Sequence, residues 1–152
     1  MEYTRFGATD LQVSRIALGT WAMGGWNWGG TNVDDAVEAA CEAIDMGITT
    51  IDTAPVYGFG LSERIVAQAI LKSGVPREKL IIATKAGLDW DEDENVTRNS
   101  KPERIRKEIE DSLRRLNTDY IDIYQIHWPD LDTPIEQTAA VMQELYDEGK
   151  IR

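Results

Sequence analysis

Three apolar, β-prone segments of the chain each end in an ionisable side chain. Asp52 ends the segment ITTID, Lys85 ends LIIATK and His127 ends YIDIYQIH, while Tyr57 follows Asp52 by five residues. A polar group that closes a buried strand must meet water, a ligand or a counter-charge. The spacing therefore predicts that these four side chains meet at one end of a sheet.

These four residue types together suit the reduction of a carbonyl group. The Tyr57 hydroxyl can give a proton to the developing alkoxide, and the ammonium group of Lys85 can stabilise the phenolate that remains. The Asp52 carboxylate can pair with that ammonium, and His127 can hydrogen-bond the substrate oxygen. Since no side chain supplies hydride, this chemistry requires a cofactor.

Each of these residues, taken alone, also has an ordinary structural interpretation. An aspartate after a strand commonly belongs to a turn or a helix cap, and a lysine at a strand end is commonly just solvated. The tyrosine could serve packing, and the histidine could be a satisfied core or loop residue. The combination favours a site, because chance would have to place four complementary groups on one rim.

Alternating strand and helix patterns carry these residues along the chain. Apolar residues at helical spacing, followed by glycine, predict the first two helices. Two further helices are predicted to start at capping boxes, Ser100 to Glu103 and Thr133 to Glu136, the second with Pro134 at the first helical position. The predicted elements are a strand ending near Gly19, helix 33–46, strand 48–52, helix 62–73, strand 80–85, a helix from 100, strand 120–127 and a helix from 133 to about 148.

Four strand–helix repeats in succession predict an α/β fold with parallel strands joined by crossover helices. Residues 1–15 precede these repeats, and their pattern predicts a hairpin that turns at Ala8 to Asp10. Two architectures remain open, since a doubly wound sheet would be complete at this length whereas a TIM (β/α)8 barrel takes about 250 residues. Periodicity alone does not choose between them.

The composition limits the partners of the chain. Its net charge of −11 disfavours nucleic acid, and one cysteine with one histidine is too few for a zinc site, so no metal is expected. No apolar run approaches the roughly 18 residues of a membrane span and no leader is evident, so we expect a cytoplasmic protein with no membrane partner. Cys41 is expected to pack in the core, and the acidic run 89–94 to form a solvated loop.

All five tryptophans follow predicted strands and therefore fall on one rim. Trp21, Trp90 and Trp128 are expected to line an apolar substrate pocket. Trp26 and Trp28 are equally compatible with packing inside an irregular loop.

Two further segments suggest a role from their length or their glycines. Residues 86–99 form a longer connection than most, and such loops are often lids or are disordered when their ligand is absent. Gly58 to Gly60 is similar to the start of a dinucleotide fingerprint, but Glu63 stands where its third glycine belongs. That departure disfavours a Rossmann fold.

Several segments resemble the aldo-keto reductases, particularly the bacterial branch that is also similar to potassium-channel β subunits. They are ALGTWAMGG, TIDTAPVYGFGLSE, LIIATK, SLRRLNTDYIDIYQIHWPD and ELYDEGKIR. The resemblance implies a TIM (β/α)8 barrel, of which residues 1–152 would be the amino-terminal half. Residues 1–15 would be its capping hairpin and residues 16–152 its first four strand–helix units.

The resemblance also implies a function and a role for each site residue. The protein would reduce aldehydes or ketones with NADPH, or less often NADH. Tyr57 would be the general acid, Lys85 and Asp52 the pair that tunes it, and His127 the group that orients the substrate. The residues that would face the nicotinamide ribose and amide are Gly19, Thr20, Trp21 and Asp52.

The chain departs from the resemblance in length, because family members continue into four more units. We therefore expect a fragment of a longer reductase that self-associates or pairs with the missing carboxyl-terminal half. The channel-subunit similarity leaves open a regulatory or interaction subunit that binds the cofactor without turnover.

Overall fold

The computed structural model describes every residue from Met1 to Arg152. Its elements are, in chain order, β1 (Tyr3–Arg5), β2 (Gln12–Ser14), β3 (Ala17–Gly19), α1 (Val33–Asp45), β4 (Thr50–Asp52), α2 (Leu61–Ser73), β5 (Ile81–Ala86), β6 (Leu88–Trp90), β7 (Val96–Arg98), α3 (Pro102–Leu116), β8 (Ile123–Ile126) and α4 (Ile135–Asp147). Short 3₁₀ turns lie at Ala22–Gly24 and Arg77–Lys79.

A four-stranded parallel sheet forms the centre of the molecule, in the order β3-β4-β5-β8. The order follows the chain without the reversal that defines a doubly wound sheet. The last residues continue the series, since Ile151 forms a parallel bridge with Ile121 beside the start of β8. Of the two architectures that periodicity left open, this order favours the barrel.

The core lies on one side of this sheet, between the strands and the helices. Alternate strand residues such as Ile51 and Ile82 point to the helices, where they meet Ile105, Ile109 and Leu145, all essentially inaccessible to solvent. A smaller cluster between α1 and α2 includes Cys41, whose thiol donates to the Ala69 carbonyl at 3.5 Å. The expectation that this cysteine packs in the core is confirmed.

The opening residues form the predicted hairpin, in which β1 and β2 pair antiparallel. The hairpin lies at the amino ends of the sheet strands. The backbone N–H of Ser14 donates to the Thr50 hydroxyl at 2.9 Å, and the Ser14 hydroxyl accepts from the backbone N–H of Thr50 at 3.0 Å. These bonds hold the hairpin away from the end that carries the ionisable residues.

Both predicted capping boxes are wrong. α3 begins at Pro102 and α4 at Ile135, and neither helix start receives a side-chain cap. The Asp130 carboxylate instead accepts from the backbone N–H of Ser100 at 2.8 Å and from the Thr133 hydroxyl at 2.7 Å. One charged acceptor therefore engages both predicted capping residues, and a charged acceptor makes the stronger hydrogen bond.

The connection 86–99 is not irregular, because residues 88–98 form an antiparallel hairpin of β6 and β7. At its tip the Asp91 carboxylate accepts from the backbone N–H groups of Asp93 and Asn95, and Glu94 takes a left-handed conformation with φ of 63°. An aspartate that bonds the backbone two residues onward favours such a turn. The expectation of a solvated loop over 89–94 is confirmed for Asp91 to Glu94, which are exposed, and is wrong for Asp89 and Trp90, which are half-buried in β6.

Two strands are shorter than predicted, since β4 starts at Thr50 and β8 covers only Ile123 to Ile126. Before β8, the buried Asp122 carboxylate accepts from the backbone N–H of Ile82 at 2.9 Å. Since the backbone N–H of Asp122 also donates to the Ile82 carbonyl at 3.2 Å, this residue binds β5 through both its backbone and its side chain. No helix of the molecule has both the length and the apolar character that crossing a membrane requires.

Glu108 of α3 is a buried carboxyl group, 2% exposed, that accepts from the backbone N–H of Gly87 at 2.8 Å and from Arg104 at 3.3 Å. Burial raises the pKa of Glu108 from 4.5 to about 7, more than these partners lower it. The folded state therefore keeps a proton that the unfolded chain has already released. This group's contribution to the free energy of unfolding falls as pH rises from about 4.5 to about 7.

Glu108→Gln should remove this pH dependence. The free energy of unfolding of the variant minus that of the unaltered protein should be lower at pH 5 than at pH 8. Urea midpoints of both proteins at the two pH values measure this difference. Glu103→Gln, at an exposed position of the same helix, controls for the loss of one carboxyl group. A stability difference that is equal at both pH values for Glu108→Gln would contradict the prediction.

Candidate active site

The structure brings the four predicted catalytic side chains together at the carboxyl ends of β4, β5 and β8. Lys85 is the centre of the group. Its ammonium donates to the Asp52 carboxylate at 2.9 and 3.0 Å and to the Thr53 carbonyl at 2.9 Å, and it lies 3.3 Å from the Tyr57 hydroxyl oxygen. A lysine ammonium has three N–H donors. All three therefore have an acceptor among these groups.

Tyr57 lies in the connection between β4 and α2. Its backbone N–H donates to the Ala54 carbonyl at 3.1 Å, and its carbonyl accepts from the N–H of Ser62 at 3.1 Å. The phenol oxygen accepts from Lys85, so the hydroxyl proton is free to point toward another acceptor. The Tyr57 ring also lies edge-on to the His127 ring, with 5.7 Å between the centroids.

His127 continues the pairing of β5 and β8, since its backbone N–H donates to the Ala86 carbonyl at 2.8 Å. Its ring is half-buried. Burial and, second, the positive charge of Lys85 lower the pKa of His127 from 6.5 to about 4, although Asp52 opposes the shift. The imidazole is therefore neutral at physiological pH and can donate one hydrogen bond without carrying charge.

An NMR titration should find that the imidazole of His127 protonates with a midpoint near pH 4. The chain has only this histidine, so its signals can be assigned by their loss in His127→Asn. Because the charge change falls below pH 5, His127 should add no step to kcat/KM between pH 5 and pH 8. A midpoint near the ordinary value of about 6.5 would contradict the prediction.

The residues predicted to face a cofactor differ in their accessibility. An added Cβ on Gly19 would meet nothing within 4 Å, and Trp21 is 45% exposed. The Asp52 side chain is 37% exposed. Thr20 is different, because it is fully buried and its hydroxyl donates to the Asp52 carbonyl at 3.0 Å. Thr20 therefore lies behind the surface that Gly19, Trp21 and Asp52 form.

A small, mainly apolar cavity of about 190 Å³ opens beside the four side chains. It is lined by Trp21, Trp26, Val56, Tyr57, His127 and Trp128. A larger cavity of about 630 Å³ lies at the amino ends of the strands, near the first hairpin, and contains none of the four. We assign the candidate site to the smaller cavity because Tyr57 and His127 both reach it.

Trp90 does not line this cavity, although the sequence grouped it with Trp21 and Trp128. Its ring packs against Phe59 at 5.5 Å between centroids and lies under the guanidinium of Arg104 at 5.4 Å. The antiparallel hairpin turns Trp90 toward these two partners. Its position in this chain is therefore a packing position, while Trp26, which the sequence left undecided, contributes to the cavity.

Sequence reasoning missed a cluster of buried hydroxyl groups beneath the site. The Ser62 hydroxyl oxygen lies 2.9 Å from the Thr20 carbonyl oxygen, 2.7 Å from the Thr20 hydroxyl and 3.0 Å from the Thr53 hydroxyl, and its single proton is directed at Thr20. All three residues are fully buried. The cluster ties the connections after β3 and β4 to α2, and isolated serines and threonines leave no periodic signal in a sequence.

The molecule places no group of three or more His, Cys, Asp or Glu side chains where they could hold a metal ion. The polar groups of the site are those of Asp52, Tyr57, Lys85 and His127, with the carbonyl of Thr53.

The sequence profile of the Aldo/keto reductase family matches residues 15–152, and the chain belongs to this family. It is 55% identical to the aldo-keto reductase YhdN of Bacillus subtilis over 152 residues, which are all of this chain and 45% of that protein. It is 45% identical to the NADH-specific methylglyoxal reductase of Escherichia coli, again across all of this chain and 50% of that protein.

Solved structures show the same similarity. A glycerol dehydrogenase from Gluconobacter oxydans superposes with a TM-score of 0.84 at 49% identity, covering 99% of this chain and 46% of that one. The holo form of an aldo-keto reductase from Bacillus halodurans gives a TM-score of 0.89 at 35% identity, covering 100% of this chain and 48% of that one. The chain spans about half the length of these relatives and has the α/β fold of half a TIM barrel.

Proposed function

We propose that the protein carrying this chain reduces aldehydes or ketones to alcohols with a reduced nicotinamide cofactor, and that Tyr57 is the general acid. The observation that carries the proposal is the contact of the Lys85 ammonium with both the Asp52 carboxylate and the Tyr57 hydroxyl. A cation held this way stabilises a phenolate, so the phenol can release its proton more readily. Membership of the aldo/keto reductase family supports the same chemistry.

In this proposal each side chain has a different role. The cofactor, when bound, supplies hydride to the carbonyl carbon. Tyr57 gives its proton to the carbonyl oxygen as negative charge develops there, and Lys85 stabilises the phenolate that remains. The neutral His127 donates a hydrogen bond to the same oxygen and orients it toward Tyr57.

The surface formed by Gly19, Trp21 and Asp52 fits a flat ring of the nicotinamide kind. Gly19 leaves open space above its backbone, Trp21 offers an exposed indole, and part of the Asp52 carboxylate is accessible. The sequence resemblance implies NADPH, whereas one relative is named as specific for NADH. Both cofactors are therefore assayed side by side.

The cavity indicates small carbonyl compounds with an apolar or planar group. Its volume of about 190 Å³ and its tryptophan side chains leave room for a short chain or a single ring beside Tyr57. Small aldehydes such as methylglyoxal and benzaldehyde are suitable probes.

The test is an assay of the full protein with NADPH or NADH and a panel of small aldehydes and ketones. We expect the absorbance of the reduced nicotinamide to fall in the presence of carbonyl compounds and to stay constant without them. No consumption with either cofactor across the panel would overturn the proposal, and tight cofactor binding without consumption would favour the regulatory alternative.

We also propose that residues 1–15 close the amino end of the barrel and that residues 16–152 form four of its strand–helix units. Within this chain the outer edge of β3 has no strand partner, and β8 is joined beyond β5 only by the single bridge to Ile151. Unpaired strand edges favour association. The 152 residues alone should therefore elute from gel filtration as oligomers, and a stable monomer would contradict this.

A further inference from the structure

The backbones of two connections touch directly beneath Tyr57. Gly24 ends the 3₁₀ turn after β3, and Tyr57 and Gly58 lie in the connection after β4. A Cβ added to Gly24 would lie 2.4 Å from the Tyr57 carbonyl carbon and 2.5 Å from its oxygen. A Cβ added to Gly58 would lie 2.1 Å from the Gly24 oxygen. Neither connection can carry a side chain at this contact.

Neither connection can easily move away from the contact. Gly58, Phe59 and Gly60 have successive φ values of 64°, 52° and 90°, so the chain makes a left-handed turn directly after Tyr57. Glycine adopts this conformation without the cost that a Cβ imposes. Across the contact, the N–H groups of Gly24 and Gly25 are bonded within their own turn at 3.0 and 3.1 Å. The glycines that are similar to a dinucleotide fingerprint therefore form a tight turn.

We propose that Gly24 is a positioning residue that sets the distance between the Tyr57 hydroxyl and the Lys85 ammonium. The inference rests on the proposed function of Tyr57 as the general acid. Lys85 is fixed independently, by Asp52 and by the Thr53 carbonyl. A push from Gly24 would therefore move Tyr57 relative to Lys85 and would not move the pair together.

The geometry leaves little tolerance for such a movement. A Cβ on Gly24 would have to retreat about 1 Å to reach an ordinary contact of 3.4 Å with the Tyr57 backbone. The Lys85 to Tyr57 distance is already 3.3 Å, which is at the long end of hydrogen-bond distances. Displacing a reacting group by about 1 Å can cost on the order of 10²-fold in rate.

The test is Gly24→Ala in the full protein, assayed with the aldehyde that the unaltered protein reduces fastest. We expect kcat to fall by on the order of 10²-fold. We also expect the solvent deuterium isotope effect on kcat to increase, because transfer of the Tyr57 proton becomes slower than the other steps. A purely structural role for Gly24 would not change this isotope effect.

Gly29→Ala is the matched control. Gly29 lies in the same connection and has a left-handed φ of 79°, whereas Gly24 lies within the 3₁₀ turn, and a Cβ on Gly29 would meet nothing within 4 Å. Gly29→Ala therefore adds backbone strain that Gly24→Ala does not, and it leaves Tyr57 untouched. The control should retain kcat within about two-fold and leave the isotope effect unchanged.

Ala22→Gly covers the case in which Gly24→Ala does not fold. Ala22 is exposed in the same 3₁₀ turn, so Ala22→Gly removes only a methyl group. The substitution makes the turn that holds Gly24 in place less rigid. We expect a several-fold fall in kcat with a larger isotope effect.

The outcomes separate the proposed function from the positioning role of Gly24. Failure of the unaltered protein to reduce any carbonyl compound would overturn the proposed function. An active protein whose folded Gly24→Ala variant keeps kcat within two-fold would overturn the positioning role alone, and so would a slower variant with an unchanged isotope effect. If Gly24→Ala does not fold, an unchanged Ala22→Gly would overturn that role.

Discussion

Tyr57→Phe should lower kcat of the full protein by roughly 10²- to 10⁴-fold, the range that a general acid contributes. The substitution removes only the hydroxyl oxygen, which is the atom 3.3 Å from the Lys85 ammonium. The ring should stay in place because it stacks with Trp21 at 6.1 Å and meets His127 edge-on at 5.7 Å. Cofactor affinity, measured by quenching of tryptophan fluorescence, should therefore change little.

Tyr146→Phe provides the matched control, since Tyr146 is exposed on α4 and far along the chain from the four side chains. Loss of the Tyr146 hydroxyl should leave kcat unchanged. Retention of more than a tenth of the activity by Tyr57→Phe would exclude the hydroxyl as the main proton donor.

Lys85→Met should lower kcat on the order of 10³-fold, an effect comparable to the loss of a preorganised electrostatic contact. Methionine fills a similar volume but leaves the Asp52 carboxylate, the Thr53 carbonyl and the Tyr57 hydroxyl without their shared donor. Lys85→Arg should not restore the rate, because a planar guanidinium presents its donors in a fork. Lys72→Met, at an exposed lysine of α2, controls for the loss of one positive charge.

The double variant Tyr57→Phe with Lys85→Met separates a joint role from two independent ones. If Lys85 acts through the Tyr57 phenolate, the double variant should be little slower than the slower single variant, since residues that act as a unit are not additive. Losses that multiply in the double variant would show that Lys85 acts independently of Tyr57.

The convergence of the four side chains could be predicted because it depends on strand ends. Asp52, Lys85 and His127 each close a segment whose apolar residues mark a strand, and parallel strands place such ends on one edge. The residue types and their positions at strand ends are therefore sufficient to predict the members of the site. The strand register then sets the relative position of Asp52 and Lys85, because Asp52 pairs with Ala83 and Lys85 lies two residues farther along β5.

The contacts that the sequence did not predict join side chains from separate elements. The Thr53 carbonyl, which completes the ammonium's set of acceptors, is a backbone atom without any residue signature. Asp130 follows β8, yet it bonds the chain ahead of α3, thirty residues earlier. The packing position of Trp90 has no sequence signal, because the hairpin that redirects it has strands of three residues, too short for a clear alternation.

The order of the strands has a consequence for how the chain assembles. Each strand of the central sheet pairs with the strand that precedes it in that sheet, and each α-helix packs against the next, α1 on α2, α2 on α3 and α3 on α4. Within this sheet only the outer edge of β3 lacks a neighbouring strand, and every later strand pairs with the one before it. During synthesis on the ribosome, we expect every newly emerged unit to dock at once onto the one before it, so that the nascent protein grows as an ordered arc.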